Sequence, residues 1–424
     1  MRPTTISRFL FLCGFSGVMT KPMKFDIFQS LDQISGFFKT TPRDEERKIN
    51  ATVNSFEYYN TPQIIRRAGY PAESHVIQTE DGYLLTLHRI PGDNNSTPVL
   101  LQHGLLCSST DWVIAGKNRG LAFILADQGY DVWLGNIRGN TYSRAHVHLL
   151  PSDSEFWNFS FHEMGMYDLP AMISYITNLR SQLLHTYIGH SMGTTMFYVM
   201  ASSLPHIAEN VKMMISLAPV AFLNHIQSPV RYFAPIASSK IIDYLFGKDE
   251  FLPQNIIVKI LANGCRVKLF QKKICANVLF LICGFDEEQF DYKLLPEILH
   301  YVPAGTSTKT VIHYNQEMVS GKFRQYDYGS KKNRVIYNAT EPPEYNLFNI
   351  TVPIALFYAD NDWLADPQDV KRLYGKLPNV IDLYRVPFPP FNHLDFIWAK
   401  DVRLLVYKRV LEIMKTGKSP MTES

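Results

Sequence analysis

The chain has 424 residues, 46% of them hydrophobic, which is enough for a large core and an inserted subdomain. Its 42 Lys and Arg residues are balanced by 39 Asp and Glu residues, which gives a formal charge of +3. This balance, without any basic cluster, excludes the charge pattern of a nucleic-acid-binding protein. No spacing of Cys and His suggests a zinc site, and we expect no cofactor.

The first residues have the pattern of a secretory signal peptide. Arg2 and Arg8 precede a short apolar run at 9–15, which is followed by small residues. This run is roughly half as long as the ~20 apolar residues that a membrane-spanning helix needs, so the pattern favours export over an anchor helix. We therefore predict a signal peptide at 1–20, a flexible leader or propeptide at 21–53, and no transmembrane segment.

A hairpin is the first regular element of the core, with strands at 74–78 and 83–88 around Asp81-Gly82. Later apolar runs predict buried strands at 98–101, 130–134, 185–188, 213–217, 352–357 and 380–384. Predicted helices lie at 121–125, at 169–176 with Asp168 in the first turn, after Ser191, at 369–377 and at 398–414. This order predicts an α/β fold, with a mostly parallel central sheet and helices on both faces.

The alternation of strands and helices stops between residues 221 and 346, where the pattern becomes helical and rich in proline. We predict that residues 221–346 form a helical cap inserted into one sheet. The flanking parts of the core are then 54–220 and 347–415. The polar residues 416–424 are predicted to be a disordered tail.

Export to an oxidising compartment would allow the cysteines to form disulfides and the N-x-S/T sequons to be glycosylated. Cys265 and Cys275 lie close together in a polar stretch, which favours a local disulfide. Cys107 and Cys283 have apolar neighbours and are expected to be buried free thiols. The candidate glycosylation sites are Asn50, Asn94, Asn95, Asn158, Asn338 and Asn349.

The segment Gly189-His190-Ser191-Met192-Gly193 fits the nucleophile-elbow pattern G-x-S-x-G. A strand pattern directly precedes it and a helix pattern directly follows, which is the context that the elbow requires. The turn leaves no room for side chains at the two glycines, and it holds the serine above the positive end of the helix. Ser191 is therefore the candidate nucleophile.

A serine nucleophile needs a base, and in this arrangement the acid and the histidine follow the serine in that order. His393 is the only histidine after residue 352, and it follows the last predicted strand. It is therefore the candidate general base. Asp360, Asp362 and Asp366 follow the preceding strand, and Asp366 is typical of a helix N-cap before proline. Position favours Asp362 as the orienting carboxylate and leaves Asp360 open.

The tetrahedral intermediate of such a reaction needs two backbone donors. One candidate is the N–H of Met192, the residue after the serine. The other is the N–H of Leu105, in a glycine-containing loop after the strand at 98–101. His103 and His190 flank these donors, and we expect both histidines to fix loops by hydrogen bonds.

Together these motifs resemble the acid lipases, a family of α/β-hydrolases that includes the gastric and lysosomal lipases. The resemblance runs from about Asn54 to Met414 and rests on residues 103–106, 131–136, 138–140, 189–191, 361–362, 364–370 and 392–396. It implies Ser191 as nucleophile, Asp362 rather than Asp360 as acid, and His393 as base. Cys265 and Cys275 resemble the cap disulfide of the family, although their spacing is slightly longer.

Two positions depart from the family pattern. Met192 stands where gastric-type relatives usually carry Gln, but the proposed donor there is a backbone N–H, so we expect activity to survive. An extra proline in Phe388-Pro389-Pro390 lengthens the loop before His393, which puts the exact placement of the base in question.

The resemblance implies hydrolysis of triacylglycerols or sterol esters through an acyl-enzyme at a lipid–water interface. Secretion is expected, with lysosomal delivery as the alternative. Two other classes fit the same scaffold: a lipid-binding protein on an inactive lipase scaffold, and a hydrolase of soluble esters or peptides. Retention of all three triad residues disfavours the first, and comparing a tributyrin emulsion with a dissolved ester separates the second. The sequence leaves the preferred lipid, the acyl length, the pH optimum and the oligomeric state open.

Apolar runs in the predicted cap suggest a mobile lid. Phe233, Leu245 and Phe246 belong to runs within 230–260 that are long for the internal packing of a small cap. We predict that part of this surface covers the pocket in water and opens onto lipid. The alternative is that these side chains form the core of the cap itself.

Overall fold

The computed structural model describes residues 58–232, 249–252, 276–277 and 279–420. All elements named below belong to the compact unit that spans residues 60–424. Several predicted features lie outside the described residues: the signal peptide, the leader, Asn50, Phe233, Leu245, Phe246, Cys265 and Cys275.

The described chain contains a central sheet and a small separate ribbon. The strands are β1 Glu73–Gln78, β2 Tyr83–Ile90, β3 Pro98–Gln102, β4 Asp131–Leu134, β5 Ala145–His146, β6 Thr186–His190, β7 Met214–Leu217, β8 Glu250–Phe251, β9 Thr306–Ser307, β10 Ile354–Tyr358 and β11 Val380–Arg385. The sheet has the order β1-β2-β4-β3-β6-β7-β10-β11, with β5 paired to β2, while β8 and β9 form the antiparallel ribbon.

The sheet is antiparallel only around β2, which pairs in that direction with β1, β4 and β5. All neighbours from β4 to β11 are parallel. Every residue of β3, β4, β7 and β10 is buried, as expected for parallel strands covered by helices on both faces. The predicted α/β architecture is confirmed.

Helices fill the connections between the strands. They are α1 Thr61–Arg67, α2 Leu121–Asp127, α3 Phe161–Glu163, α4 Leu169–Arg180, α5 Met192–Ser203, α6 Pro205–Ala208, α7 Leu295–Tyr301, α8 Thr308–Ser320, α9 Ser330–Ile336, α10 Pro367–Tyr374, α11 Asp395–Trp398 and α12 Lys408–Thr416. Short 3₁₀ turns span Ser109–Trp112, Ser154–Trp157, Pro229–Tyr232 and Leu347–Asn349, and π-helical turns span Met164–Asp168 and Arg403–Tyr407. Helix α5 is buried along all but its last residue, which agrees with its apolar sequence.

The hairpin loop between β1 and β2 spans residues 79–82 and contains Asp81-Gly82, as the predicted strand ends require. It begins at Thr79, whose N–H donates to the carbonyl of Tyr83 over 2.9 Å, and Gly82 has a φ of +93°. The Asp81 carboxylate accepts a hydrogen bond from the Thr79 hydroxyl over 2.7 Å and also binds Arg138. These side-chain contacts stabilise the loop.

Asp168 has a different role from the one that its sequence position suggested. The π-helical turn continues directly into α4, so Asp168 is not at a free helix start and caps nothing. Its buried carboxylate accepts hydrogen bonds from the side chain and the backbone N–H of Arg138, at 2.7 and 3.0 Å. Asp168 is therefore the partner of a buried arginine.

The predicted helix at 398–414 is also wrong in its bounds. Helix α11 ends at Trp398, and the chain then turns to bind Gln289 through the backbone N–H groups of Lys400 and Asp401, each over 2.9 Å. The last helix, α12, extends to Thr416, and the Ser419 hydroxyl donates to Asp382 over 2.8 Å. The part of the predicted tail that the structure describes therefore includes a helix end and a contact with β11.

The described parts of the region between β7 and β10 contain α7, α8, α9 and the β8–β9 ribbon. Helix α8 is fixed to the sheet-covering helices, since Tyr314 donates to Thr195 of α5 over 3.0 Å and His313 binds Ser160 over 3.0 Å. The division into a core and a cap at 221 and 346 stays a prediction.

Candidate active site

The turn between β6 and α5 has the geometry of a strained elbow. Ser191 has φ 53° and ψ −120°, which a residue with a side chain adopts only under constraint. Its N–H donates to the carbonyl of Leu217 over 3.0 Å, which ties the turn to β7. A Cβ on Gly189 would lie 2.8 Å from the carbonyl carbon of Gly193, and one on Gly193 would lie 2.4 Å from the carbonyl oxygen of Gln102. Both glycines are therefore required for the turn.

A hydrogen-bond chain joins the three predicted triad residues. His393 Nε2 lies 2.8 Å from Ser191 Oγ, and His393 Nδ1 lies 2.9 and 2.8 Å from the two carboxylate oxygens of Asp362. Asp362 is completely buried, and its Oδ1 also accepts hydrogen bonds from the N–H groups of Leu364 and Ala365, at 2.9 and 2.8 Å. The carboxylate is therefore fixed by the start of its own loop, and its Oδ2, which accepts from neither of these N–H groups, lies nearest to the histidine.

The two other carboxylates considered from the sequence point elsewhere. Asp360 forms a bidentate ion pair with Arg385 at the surface. Asp366 caps α10, accepting from the N–H of Gln368 over 2.8 Å, as predicted. Of the three candidates, Asp362 is the one whose carboxylate contacts His393.

The loop that carries His393 is held by backbone groups from a distant segment. The N–H of His393 donates to the carbonyl of Cys283 over 3.3 Å. The side chain of Asn392 donates to the carbonyl of Gly284 over 2.9 Å and accepts from the N–H groups that follow it. The placement of the base thus depends on residues 283–284 and does not rest on the loop alone.

Asn361 connects the acid loop and the base loop, which sequence reasoning did not predict. Its side-chain amide donates to the carbonyl of Pro390 over 2.7 Å and to that of Phe285 over 2.8 Å. Gly284 has a φ of +109°, and a Cβ there would lie 2.1 Å from the carbonyl oxygen of Asn361. The visible signal was an asparagine directly before each of Asp362 and His393, to which no role was assigned.

The candidate oxyanion donors lie in the loop after β3 and at the start of α5. A Cβ on Gly104 would lie 3.1 Å from the Cβ of Ser191, so the loop that holds Leu105 packs against the serine. Met192 is the first residue of α5, where a helix leaves its N–H groups without an internal acceptor. In the part of the chain that the structure describes, the N–H groups of Leu105 and Met192 donate to no backbone carbonyl.

His103 and His190 are neutral loop-fixing residues, as expected. His103 Nδ1 lies 2.8 Å from the carbonyl of Gly104, and its Nε2 accepts from Asn140 over 3.1 Å. His190 Nε2 lies 2.9 Å from the carbonyl oxygen of His393. Burial lowers the pKa of His103 to about 4, and burial together with nearby His393 lowers the pKa of His190 to about 3.

Cys107 and Cys283 are buried free thiols, so this prediction is confirmed. Burial raises the pKa of both thiols far above the usual range, which makes them poor nucleophiles. Within the described ranges, no group of three His, Cys, Asp or Glu side chains could hold a metal ion.

The segment that holds the His393 loop exposes apolar side chains. Leu281 and Phe285 are 47% and 45% exposed, and the ring of Phe285 packs edge-on against Trp363 at a centroid distance of 5.5 Å.

No helix among the described residues is long and apolar enough to cross a membrane. The sequon residues that the structure describes are all exposed: Asn94, Asn95, Asn158, Asn338 and Asn349.

Comparison with known proteins supports the same family along the chain. Residues 61–116 match the model of the partial alpha/beta-hydrolase lipase region, and residues 97–237 match that of the alpha/beta hydrolase fold. A solved alpha/beta hydrolase fold protein from Nakamurella multipartita has a TM-score of 0.50 at 13% identity, covering 81% of this chain and 100% of its own. At this identity the similarity shows the fold alone.

Sequence relatives are much closer than the solved structures. The chain is 43% identical to the gastric triacylglycerol lipase of Homo sapiens, over 85% of this chain and 92% of that protein. It is 40% identical to the human lysosomal acid lipase/cholesteryl ester hydrolase, over 84% of this chain and 90% of that protein. Because such identity extends over most of both chains, the protein belongs to the acid lipase family of ester hydrolases.

Proposed function

We propose that this lipase cleaves neutral-lipid esters with Ser191 as nucleophile, His393 as general base and Asp362 as the orienting carboxylate. Ser191 Oγ attacks the ester carbonyl while His393 Nε2 takes its proton. Asp362 keeps the proton of His393 on Nδ1 and stabilises the imidazolium that forms. The negative oxygen of the tetrahedral intermediate accepts hydrogen bonds from the N–H groups of Leu105 and Met192.

The intermediate collapses when the ester C–O bond breaks and His393 returns its proton to the leaving alcohol. The acyl group then remains on Ser191. In the second half, His393 takes a proton from water as the water oxygen attacks the acyl carbon. Release of the fatty acid restores Ser191 Oγ–H and the neutral histidine.

The continuous hydrogen-bond chain from Ser191 through His393 to Asp362 is the observation that carries this proposal. The base contacts the nucleophile at 2.8 Å, within the range that proton transfer requires. The acid contacts only the other ring nitrogen, so the three groups have distinct positions. A lipid-binding protein without catalysis has no need of this arrangement.

Active-site labelling tests the assignment. A fluorophosphonate probe should label the protein at Ser191, and the Ser191→Ala variant should lose both the label and several orders of magnitude in turnover. Ser203→Ala is the matched control, since this serine is exposed at the end of α5 and should leave labelling unchanged. Labelling that persists in Ser191→Ala would move the nucleophile elsewhere.

The substrates proposed are triacylglycerols or sterol esters at a lipid–water interface, in line with the relatives named for triacylglycerol and cholesteryl ester hydrolysis. Exposed Leu281 and Phe285, on the segment that holds the His393 loop, give an apolar surface for such an interface. Polar substitution of both residues should reduce turnover of a tributyrin emulsion more than turnover of a dissolved short ester. Equal losses on the two substrates would remove these side chains from the interface.

We further propose that the protein enters the secretory pathway and is secreted, with lysosomal delivery as the alternative. Relatives named as gastric and lysosomal support these two destinations. Exposure of the sequon residues between 94 and 349 permits glycosylation. The disulfide between Cys265 and Cys275 and the lid within 230–260 are part of the same proposal.

A further inference from the structure

Two buried carboxyl groups lie behind the loop that carries His393. Asp395 is the first residue of α11, and Asp286 lies just after the residues that hold the His393 loop. Each side chain is buried, with 2% of the residue exposed. The two carboxyl groups are within hydrogen-bonding contact of each other.

Backbone N–H groups bind one oxygen of each carboxyl group. Asp286 Oδ1 accepts from the N–H groups of Glu288 and Gln289, each over 3.0 Å, and Asp395 Oδ2 accepts from the N–H of Asn392 over 2.7 Å. Asp286 Oδ2 is buried and, apart from the facing Asp395 carboxyl group, has no hydrogen-bond donor among the described residues. The contact between the two acids therefore needs a proton between them, because adjacent carboxylates cannot both be ionised.

The surroundings add negative charge to the pair. Asp362 approaches Asp395 from the loop after β10, and Glu288 approaches Asp286 from its own segment. The Cys283 thiol lies close to Asp395, and burial keeps this thiol protonated. Neither acid forms a salt bridge with a basic side chain of the described residues. No basic side chain of the described residues therefore takes the place of the shared proton.

The two acids lie where the turn that carries the general base meets the segment that begins at Cys283. On one side is the turn from Asn392 to Asp395, which presents the His393 ring to Ser191. On the other side is the segment that begins at Cys283, whose carbonyl accepts the N–H of His393 over 3.3 Å. The two sides are joined by these backbone contacts and by the facing acids.

We propose that Asp286 and Asp395 are positioning residues that share one proton, hold the His393 loop in place, and make ester hydrolysis depend on that proton. This inference rests on the proposed role of His393 as the base. Burial and the facing Asp286 carboxyl raise the pKa of Asp395 well above its usual range, so the proton is retained in acid. As the pH rises through that pKa, both acids ionise and repel, and the His393 loop loosens.

Single amide variants test this directly. In Asp286→Asn, the amide oxygen keeps the N–H groups of Glu288 and Gln289, so its NH₂ group takes the place of the shared proton at every pH. Asp395→Asn does the same from the other side. In each variant, we expect the alkaline limb of the pH profile of kcat/KM, measured on a dissolved short ester, to move to higher pH. Each pH unit of movement raises the rate on that limb about tenfold. Glu287→Gln is the control, since it changes an exposed carboxylate of the same segment.

The double variant Asp286→Asn/Asp395→Asn separates a shared proton from simple packing. Both amide oxygens are needed by backbone N–H groups, so two NH₂ groups would face each other without an acceptor. We expect it to lose kcat/KM and thermal stability at all pH values, unlike either single variant. An unshifted alkaline limb in Asp286→Asn, or a double variant that behaves like the single ones, would overturn the proposal. Fluorophosphonate labelling of Ser191 reports separately on the proposed function, whatever the pH profile.

Discussion

Replacing Asp362 by Asn changes the hydrogen bonding of the triad and leaves its volume nearly unchanged. Oδ1 of this residue accepts from the N–H groups of Leu364 and Ala365, and an amide can accept only through its oxygen. The NH₂ group of the variant must therefore point at His393 Nδ1. The ring then carries its proton on Nε2, facing Ser191, where it cannot act as a base.

We expect Asp362→Asn to lower kcat by about 10⁴-fold, or about 5.5 kcal/mol of transition-state stabilisation, as such a change does in a comparable triad. Asp360→Asn is the matched control, because that carboxylate forms an ion pair with Arg385 at the surface. The variant should keep kcat/KM within about threefold of the wild type.

The assay is turnover of tributyrin emulsion and of a dissolved short ester, with thermal unfolding to show that each variant is folded. A folded Asp362→Asn protein that retains more than a tenth of the activity would refute this account of the hydrogen bonding. A larger loss in Asp360→Asn than in Asp362→Asn would transfer the orienting role to Asp360.

Three further predictions follow from described contacts. Gly193→Ala should abolish labelling of the elbow and cost about 1–3 kcal/mol in urea unfolding, whereas Gly375→Ala, with 3.7 Å to its nearest neighbour, should be close to neutral in both measurements. Burial raises the pKa of Asp111 to about 7. The folded protein therefore favours the protonated carboxyl group, and stability falls as the pH rises toward 7 and this proton is lost. Asp111→Asn, which stays neutral, should raise the melting temperature at pH 8 relative to the wild type and change it little at pH 4. Cys107 and Cys283 should react with a thiol reagent only after unfolding, with peptide mapping as the measurement, and rapid labelling of either in the native protein would contradict their burial.

The sheet was predictable because its strands are marked by local patterns. The apolar run at 98–101 and the largely apolar run at 213–217 form buried parallel strands, and the glycines of the elbow stand where side chains would clash. The order serine, acid, histidine then placed the candidate triad from short segments. Each of these signals lies within about ten residues of chain, which is the range over which periodicity is informative.

Contacts between distant segments were not predictable in the same way. Asp168 has the sequence position of a residue in a first helical turn, yet a buried arginine thirty positions away takes its carboxylate. The helix predicted at 398–414 breaks because Gln289 offers hydrogen bonds to its backbone. Tertiary partners override local propensity in both cases, and a single sequence does not reveal such partners.

The contact between Ser191 and His393 joins groups 202 positions apart in the chain. The nucleophile turn can form from local sequence, but the base reaches it only after β10 and β11 have added to the edge of the sheet. A folding intermediate that lacks those strands would have the serine without catalytic power. During refolding, esterase activity should therefore return only when the C-terminal segment has joined the sheet. The content of helix and strand should recover earlier, because it does not depend on that step alone.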